Sequence, residues 1–144
     1  MKLISHRGNL DGQDKQRENK LWAIEDCINK GYDVEIDLWV DNNTLYLGHD
    51  TAETKITENI LKKYKRNLWI HAKNFNSMNY LLSTDLNWFW HETDKMTLTS
   101  KGIPWCYPNN WIEKGITVVL NKIQIPDYIF GICTDHIIYY RGIL

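Results

Sequence analysis

The chain has 144 residues, 43% of them apolar and 24% charged, with a net charge of -1 at neutral pH. That composition excludes a disordered chain, and the near-neutral charge leaves no field to gather nucleic acid or an anionic membrane surface. The length suits one domain, residues 1–144, with a hydrophobic core of its own.

In chain order, KLISH (2–6) reads as a short buried strand. ENKLWAIEDCINKG (18–31) reads as an amphipathic helix, with Leu21, Ile24 and Ile28 on one face and Gly31 as its stop. DVEIDLWV (33–40) is a strand that turns at Asn42-Asn43 into TLYLGH (44–49), a hairpin-like excursion. TENILKKY (57–64) is a helix N-capped by Thr57, and it leads to the strand NLWIHAK (67–73). NSMNYLLST (76–84) is a helix and NWFWHET (87–93) a strand. TLTSKGIPWCYP (97–108) holds one or two short strands broken by Gly102 and Pro104, and TVVL (117–120) and YIFGICTD (128–135) complete the series.

Strands alternating with helices point to βα units and a parallel sheet. The expected fold is α/β, a shortened (β/α)8 TIM-type barrel with several crossovers stripped to turns, because such barrels usually take ~250 residues. A small open doubly wound sheet is the alternative. Cys27, Cys106 and Cys133 are scattered without a CxxC pair and read as reduced core thiols. No run is apolar and long enough for a signal peptide or a bilayer span, so a cytoplasmic protein with no stable membrane insertion is expected. Many Trp and Tyr residues leave room for a homo-oligomer formed through an exposed aromatic patch.

Ionisable residues interrupt the strand ends: His6-Arg7, Glu35-x-Asp37, His49-Asp50, His71-x-Lys73, His91-Glu92 and Asp135-His136. In parallel α/β folds the carboxyl ends of strands form the ligand-binding face, so these residues read as one active site. Glu35 and Asp37 point to the same side of their strand, about 7 Å apart along the chain. With a third carboxylate they would make an oxygen site for Mg2+ or Ca2+; the plainer alternative is a pair of acids salt-bridged to Lys73 or Arg7. Histidines near such a metal suit acid–base work, while Arg7 and Lys73 suit an anionic substrate, which together suggest cleavage of a phosphoester.

HRG (6–8), EN (18–19), EID (35–37) and GHD (48–50), in this order and strand context, resemble the glycerophosphodiester phosphodiesterase family. GICTDH (131–136) is similar to the family's closing strand. The resemblance implies a barrel domain and metal-dependent hydrolysis of a small glycerophosphodiester to an alcohol and glycerol phosphate, a reaction of lipid metabolism. It implies His6 and His49 as the general acid/base pair, Glu18, Glu35 and Asp37 as metal ligands, and Arg7 at the phosphate. The chain departs from the family in two respects. IHAK places His71 where the family has a ligating Glu, which makes His71 a candidate ligand and admits Mn2+ or Zn2+ beside Mg2+ or Ca2+. It is also roughly 100 residues shorter than a ~250-residue barrel. These departures keep open an idle barrel that binds phosphorylated ligands, or a related phospholipase of the same fold, and His91 and Glu92 receive no assigned role.

Overall fold

A computed structural model describes the chain from Met1 to Leu144. Its elements are β1 (Lys2–His6), α1 (Leu21–Asn29), β2 (Asp33–Asp41), β3 (Thr44–Leu47), β4 (Thr54–Ile56), α2 (Glu58–Lys63) and β5 (Leu68–Ala72). They continue with α3 (Phe75–Leu82), β6 (Trp88–Phe89), β7 (Met96–Leu98), β8 (Pro104–Cys106), β9 (Ile116–Val119), β10 (Gly131–Thr134) and α4 (Ile137–Ile143).

The expected shortened (β/α)8 barrel does not form. The strands join in one mixed sheet curled into a half-barrel, and only 21% of the residues are helical, in four helices. A parallel run passes through β6, β5, β2, β1, β10, β9 and β8. The antiparallel β3–β4 hairpin springs from the far half of β2, and β7 pairs antiparallel with β8. The reason lies in the connections. The chain from β8 to β9 (YPNNWIEKG) and from β9 to β10 (LNKIQIPDYIF) carries turn residues and no helical period, so no crossover helix forms there, and α4 alone reaches that side, packing Tyr140 with Val119 of β9 and Ile132 of β10.

β2 organises the two layers. Its Val34, Ile36, Leu38 and Val40 join a buried cluster that also takes Ile24 and Cys27 of α1, Leu61 of α2, Leu81 of α3 and Ile137 of α4. Its alternate residues Asp33, Glu35 and Asp37 therefore face the concave side of the curl. A second cluster fills that concavity: Ile4, Trp69, Phe89, Trp105, Ile116 and Cys133. Phe89 lies 4.4 Å from Trp105 between ring centroids, and Trp69 lies 5.8 Å from Trp105. Asp33 closes the lower end, 2.7 Å from the Lys2 ammonium and accepting a 2.9 Å hydrogen bond from Trp69 Nε1. At Gly131 of β10 a Cβ would stand 2.4 Å from the Lys2 carbonyl oxygen, so only glycine permits β10 to lie this close to β1.

Most strand and helix assignments hold, with trimmed ends. Thr57 caps α2 by accepting from the Ile60 N–H, and Gly31 takes a left-handed φ of +85° after α1. The three cysteines are free and buried. Two elements are new relative to the sequence reading, β4 and α4, and the strand expected over 87–93 shrinks to Trp88–Phe89.

Candidate metal centre and acid–base site

Strand register assembles the site. His6 of β1 pairs with Glu35 of β2, and Asp37 of β2 pairs with His71 of β5. Ser5 pairs with Thr134 of β10, which brings the next residue, Asp135, beside His6. Neighbours in parallel register project to the same side, so these groups converge above the Phe89–Trp105 floor. They open onto a cavity of about 370 Å3 lined by His6, Arg7, Glu35, His49, His71 and Lys73. Asp37 lies beneath it, fully buried. Glu18 is not among the residues whose ligand atoms gather within 4.8 Å of one another. It accepts a 3.2 Å hydrogen bond from Asn9 Nδ2 and sits 3.8 Å from Arg7.

Glu35 and Asp37 are 2% and 0% exposed, and together with His71 they bring candidate ligand atoms within 4.8 Å of one another. This group could hold a metal ion. Both plainer partners named for the acids are present as well. Arg7 Nε lies 3.2 Å from Asp37 Oδ2 and Lys73 Nζ 3.7 Å from Oδ1. Asn19 grips the same residue at two points, donating to carboxylate Oδ2 at 2.9 Å while its own Oδ1 accepts from the Asp37 backbone N–H at 3.0 Å.

Two buried carboxylate oxygens remain without a hydrogen-bond partner, Glu35 Oε2 and Asp37 Oδ1. Burial pushes the Glu35 carboxyl above its ordinary pKa, and the Asp37 charge adds to that push. Burial acts in the same sense on Asp37, but His71, Arg7 and Lys73 outweigh it and hold that carboxyl well below the usual range. An imidazole nitrogen and two unsatisfied acids form a donor set that fits a divalent cation.

The two histidines differ in environment. His6 Nδ1 lies 2.9 Å from Asp135 Oδ1, which also accepts a 2.7 Å hydrogen bond from Asn9 Nδ2. His6 Nε2 is left facing the site, 4.0 Å from Glu35 Oε2. Burial opposes charge on His6, yet the Asp135 contact and the Glu35 charge outweigh burial and raise its pKa. His49 has a side chain 42% exposed, with Nδ1 2.8 Å from Asp50 Oδ1. Burial and the Arg7 charge lower its pKa. Its loop is fixed by Trp39, whose Nε1–H donates to the Gly48 carbonyl at 2.6 Å. A Cβ at Gly48 would stand 1.9 Å from the Thr51 carbonyl oxygen, so the turn needs glycine.

The sequence reading assigned no role to Asp135, Asn9 or Asn19. Asp135 already stood among the ionisable strand ends, and Asn19 is the second residue of the EN pair. Asn19 and Arg7 both adopt left-handed backbone, with φ of 57° and 56°. Their peptides interlock: Asn19 N–H donates to the Arg7 carbonyl at 2.8 Å, and Arg7 N–H donates to the Glu35 carbonyl at 3.0 Å. His91 and Glu92 do reach the cavity, at its rim with Trp90 and Tyr107. The His91 ring faces Tyr107 at 5.3 Å, and its carbonyl accepts a 2.8 Å hydrogen bond from His71 Nε2.

No helix is long and apolar enough to cross a membrane. No family model, curated protein or solved structure matches the chain, so the family resemblance stands on the quoted motifs alone.

Proposed function

We propose that the protein is a metal-dependent phosphodiester hydrolase that cleaves a glycerophosphodiester to an alcohol and glycerol phosphate. One observation carries this reading. Two histidines whose pKa values are pushed in opposite directions line one cavity with two cations and with Glu35 and His71, which together with the Asp37 beneath could hold a metal ion. Environments that separate two titratable groups in this way suit one to act as acid and the other as base.

Glu35, Asp37 and His71 would hold the ion, which when bound offsets the acids' charge and polarises a phosphoryl oxygen. Arg7 and Lys73 line the cavity with N–H donors for the remaining phosphate oxygens. His49, kept neutral, takes the proton of the glycerol hydroxyl next to the ester at its Nε2, since Nδ1 faces Asp50. That hydroxyl attacks phosphorus, the bond to the leaving alcohol breaks, and His6 gives its Nε2 proton to the departing oxygen while Asp135 steadies Nδ1. Water then opens the cyclic phosphate with the two histidines in reversed roles.

A second reading, a pocket that binds phosphorylated ligands without turnover, draws on the contacts of Arg7 and Lys73 with Asp37, which neutralise that acid with no metal at all. Three variants separate the two. His6→Ala and His49→Ala are expected to abolish turnover with metal binding nearly intact, and Glu35→Ala to remove both. Wild-type turnover in all three would refute the assignment, and ligand binding without turnover by the native protein would favour the idle pocket.

A further inference from the structure

We infer that the site selects a first-row transition ion such as Mn2+ over Mg2+ and Ca2+, because His71 is preset as its nitrogen ligand. This rests on the metal-dependent reading above and specifies which ion that reading requires.

The ring of His71 has little freedom. It stacks on Phe89 with centroids 5.0 Å apart and planes 14° from parallel, over a floor of buried aromatic rings. Its Nε2 lies 2.8 Å from the His91 carbonyl oxygen. A carbonyl only accepts, so Nε2 carries the hydrogen of that bond. Nδ1 is thereby turned to the acids, 3.1 Å from Asp37 Oδ1 and 3.9 Å from Glu35 Oε1. Besides this contact only the Lys73 ammonium, at 3.7 Å, faces Asp37 Oδ1. A ligating histidine characteristically gives its second N–H to a backbone carbonyl or carboxylate, which fixes the ring and raises the basicity of the free nitrogen. The His91 carbonyl fills that part here.

The acids are arranged to match. Asn19 and Arg7 hold Asp37 Oδ2, so Oδ1 is the oxygen left for a ligand. Glu35 is 2% exposed, and its Oε2 has no partner. Two carboxylates alone would serve any hard cation. The added imidazole discriminates, because affinity for nitrogen rises from Mg2+ and Ca2+ through Mn2+ and the later first-row ions. Arg7 and Lys73 sharpen the effect. Their contacts with Asp37 cut the net negative charge, which weakens capture by charge alone and leaves more of the affinity to the nitrogen bond.

The test is calorimetric titration of metal-stripped protein with Mn2+ and separately with Mg2+, for the native chain and His71→Glu. Pulsed electron paramagnetic resonance of the Mn2+-loaded native protein runs alongside. The native chain is expected to bind Mn2+ at least about tenfold more tightly than Mg2+, and His71→Glu to shrink that ratio by about tenfold or more. The Mn2+ spectrum is expected to show coupling to one imidazole nitrogen, which needs no variant and decides the matter if His71→Glu fails to fold. Mg2+ binding as tightly as Mn2+, an unchanged ratio in His71→Glu, or Mn2+ without nitrogen coupling would each overturn the selectivity. In those three cases the proposed hydrolysis would stand. Absence of binding by either ion would overturn both.

Discussion

Replacing Glu35 by Gln keeps the shape and removes the charge, so it isolates what the buried acid pair does to stability. Glu35 and Asp37 bring ligand oxygens within 4.8 Å. At an effective dielectric of about 20, their mutual repulsion is then about 3.5 kcal/mol. His6 and His71, 4.0 and 3.9 Å from the Glu35 oxygens, offset part of this when charged, while burial adds to the cost. The expected net gain from Glu35→Gln without metal is about 1–2 kcal/mol. Unfolding entropy of ~2.1 cal/mol/K per residue turns each kcal/mol into about 3 °C for a chain of this length, so Tm should rise by about 3–6 °C. The gain also depends on pH. The folded-state pKa of Glu35 lies above its ordinary 4.5, so between the two values the folded chain holds the proton more tightly than the unfolded chain. The native protein therefore loses this stability as pH rises through that window, and the advantage of Gln vanishes below it. Metal reverses the order: an ion at a hundred times its Kd stabilises the native chain by about 2.7 kcal/mol, or about 9 °C, and the variant by far less. Differential scanning calorimetry with and without Mn2+ measures both. A metal-free Glu35→Gln that melts below the native protein would show the carboxylate to be an ordinary ion-pair partner and would refute this reasoning.

Asp135→Asn should lower kcat by about tenfold or more, with metal affinity unchanged, by releasing the orientation of His6. Asp135 is among the groups that raise the His6 pKa, so the alkaline limb of the pH–rate profile should move to lower pH, and an unmoved limb would contradict this pairing. Asn19→Gly keeps the left-handed backbone but deletes both hydrogen bonds to Asp37, and should weaken metal binding by about tenfold in calorimetry. Phe89→Ala removes the ring between His71 and Trp105 and should cost about 3–5 kcal/mol in denaturant unfolding. A loss under about 1 kcal/mol would mean that the aromatic floor collapses without penalty.

The sequence exposes the site better than it exposes the fold. Alternation along VEIDLWV places Glu35 and Asp37 on one face of a strand, and β2 bears that out. The same residues look like a buried parallel strand in any α/β architecture, so they say nothing about how many helices follow. The last third of the chain decides that. Residues between β8 and β10 have no helical period, and the short strands there pair directly into a curled sheet. The β2–β3 hairpin is legible from Asn42-Asn43, but β4, with Thr54–Ile56 only, is too short to show a period. Asp135 and Asn19 stayed unassigned because their roles depend on register and on a left-handed φ, which single residues in a string do not reveal. Glu18, expected as a ligand from its place in the EN pair, contacts Arg7 and Asn9, and Arg7 in turn contacts Asp37.

The central claim is tested most directly by phosphorus NMR of metal-stripped protein given glycerophosphodiesters with choline, ethanolamine, glycerol and inositol head groups, and resupplied in turn with Mg2+, Ca2+, Mn2+ or Zn2+. His49→Ala is run beside the native chain. Glycerol phosphate that forms only with metal and fails to form with His49→Ala is the expected result. Tight metal binding with no loss of any diester signal, or equal turnover by His49→Ala, would contradict it.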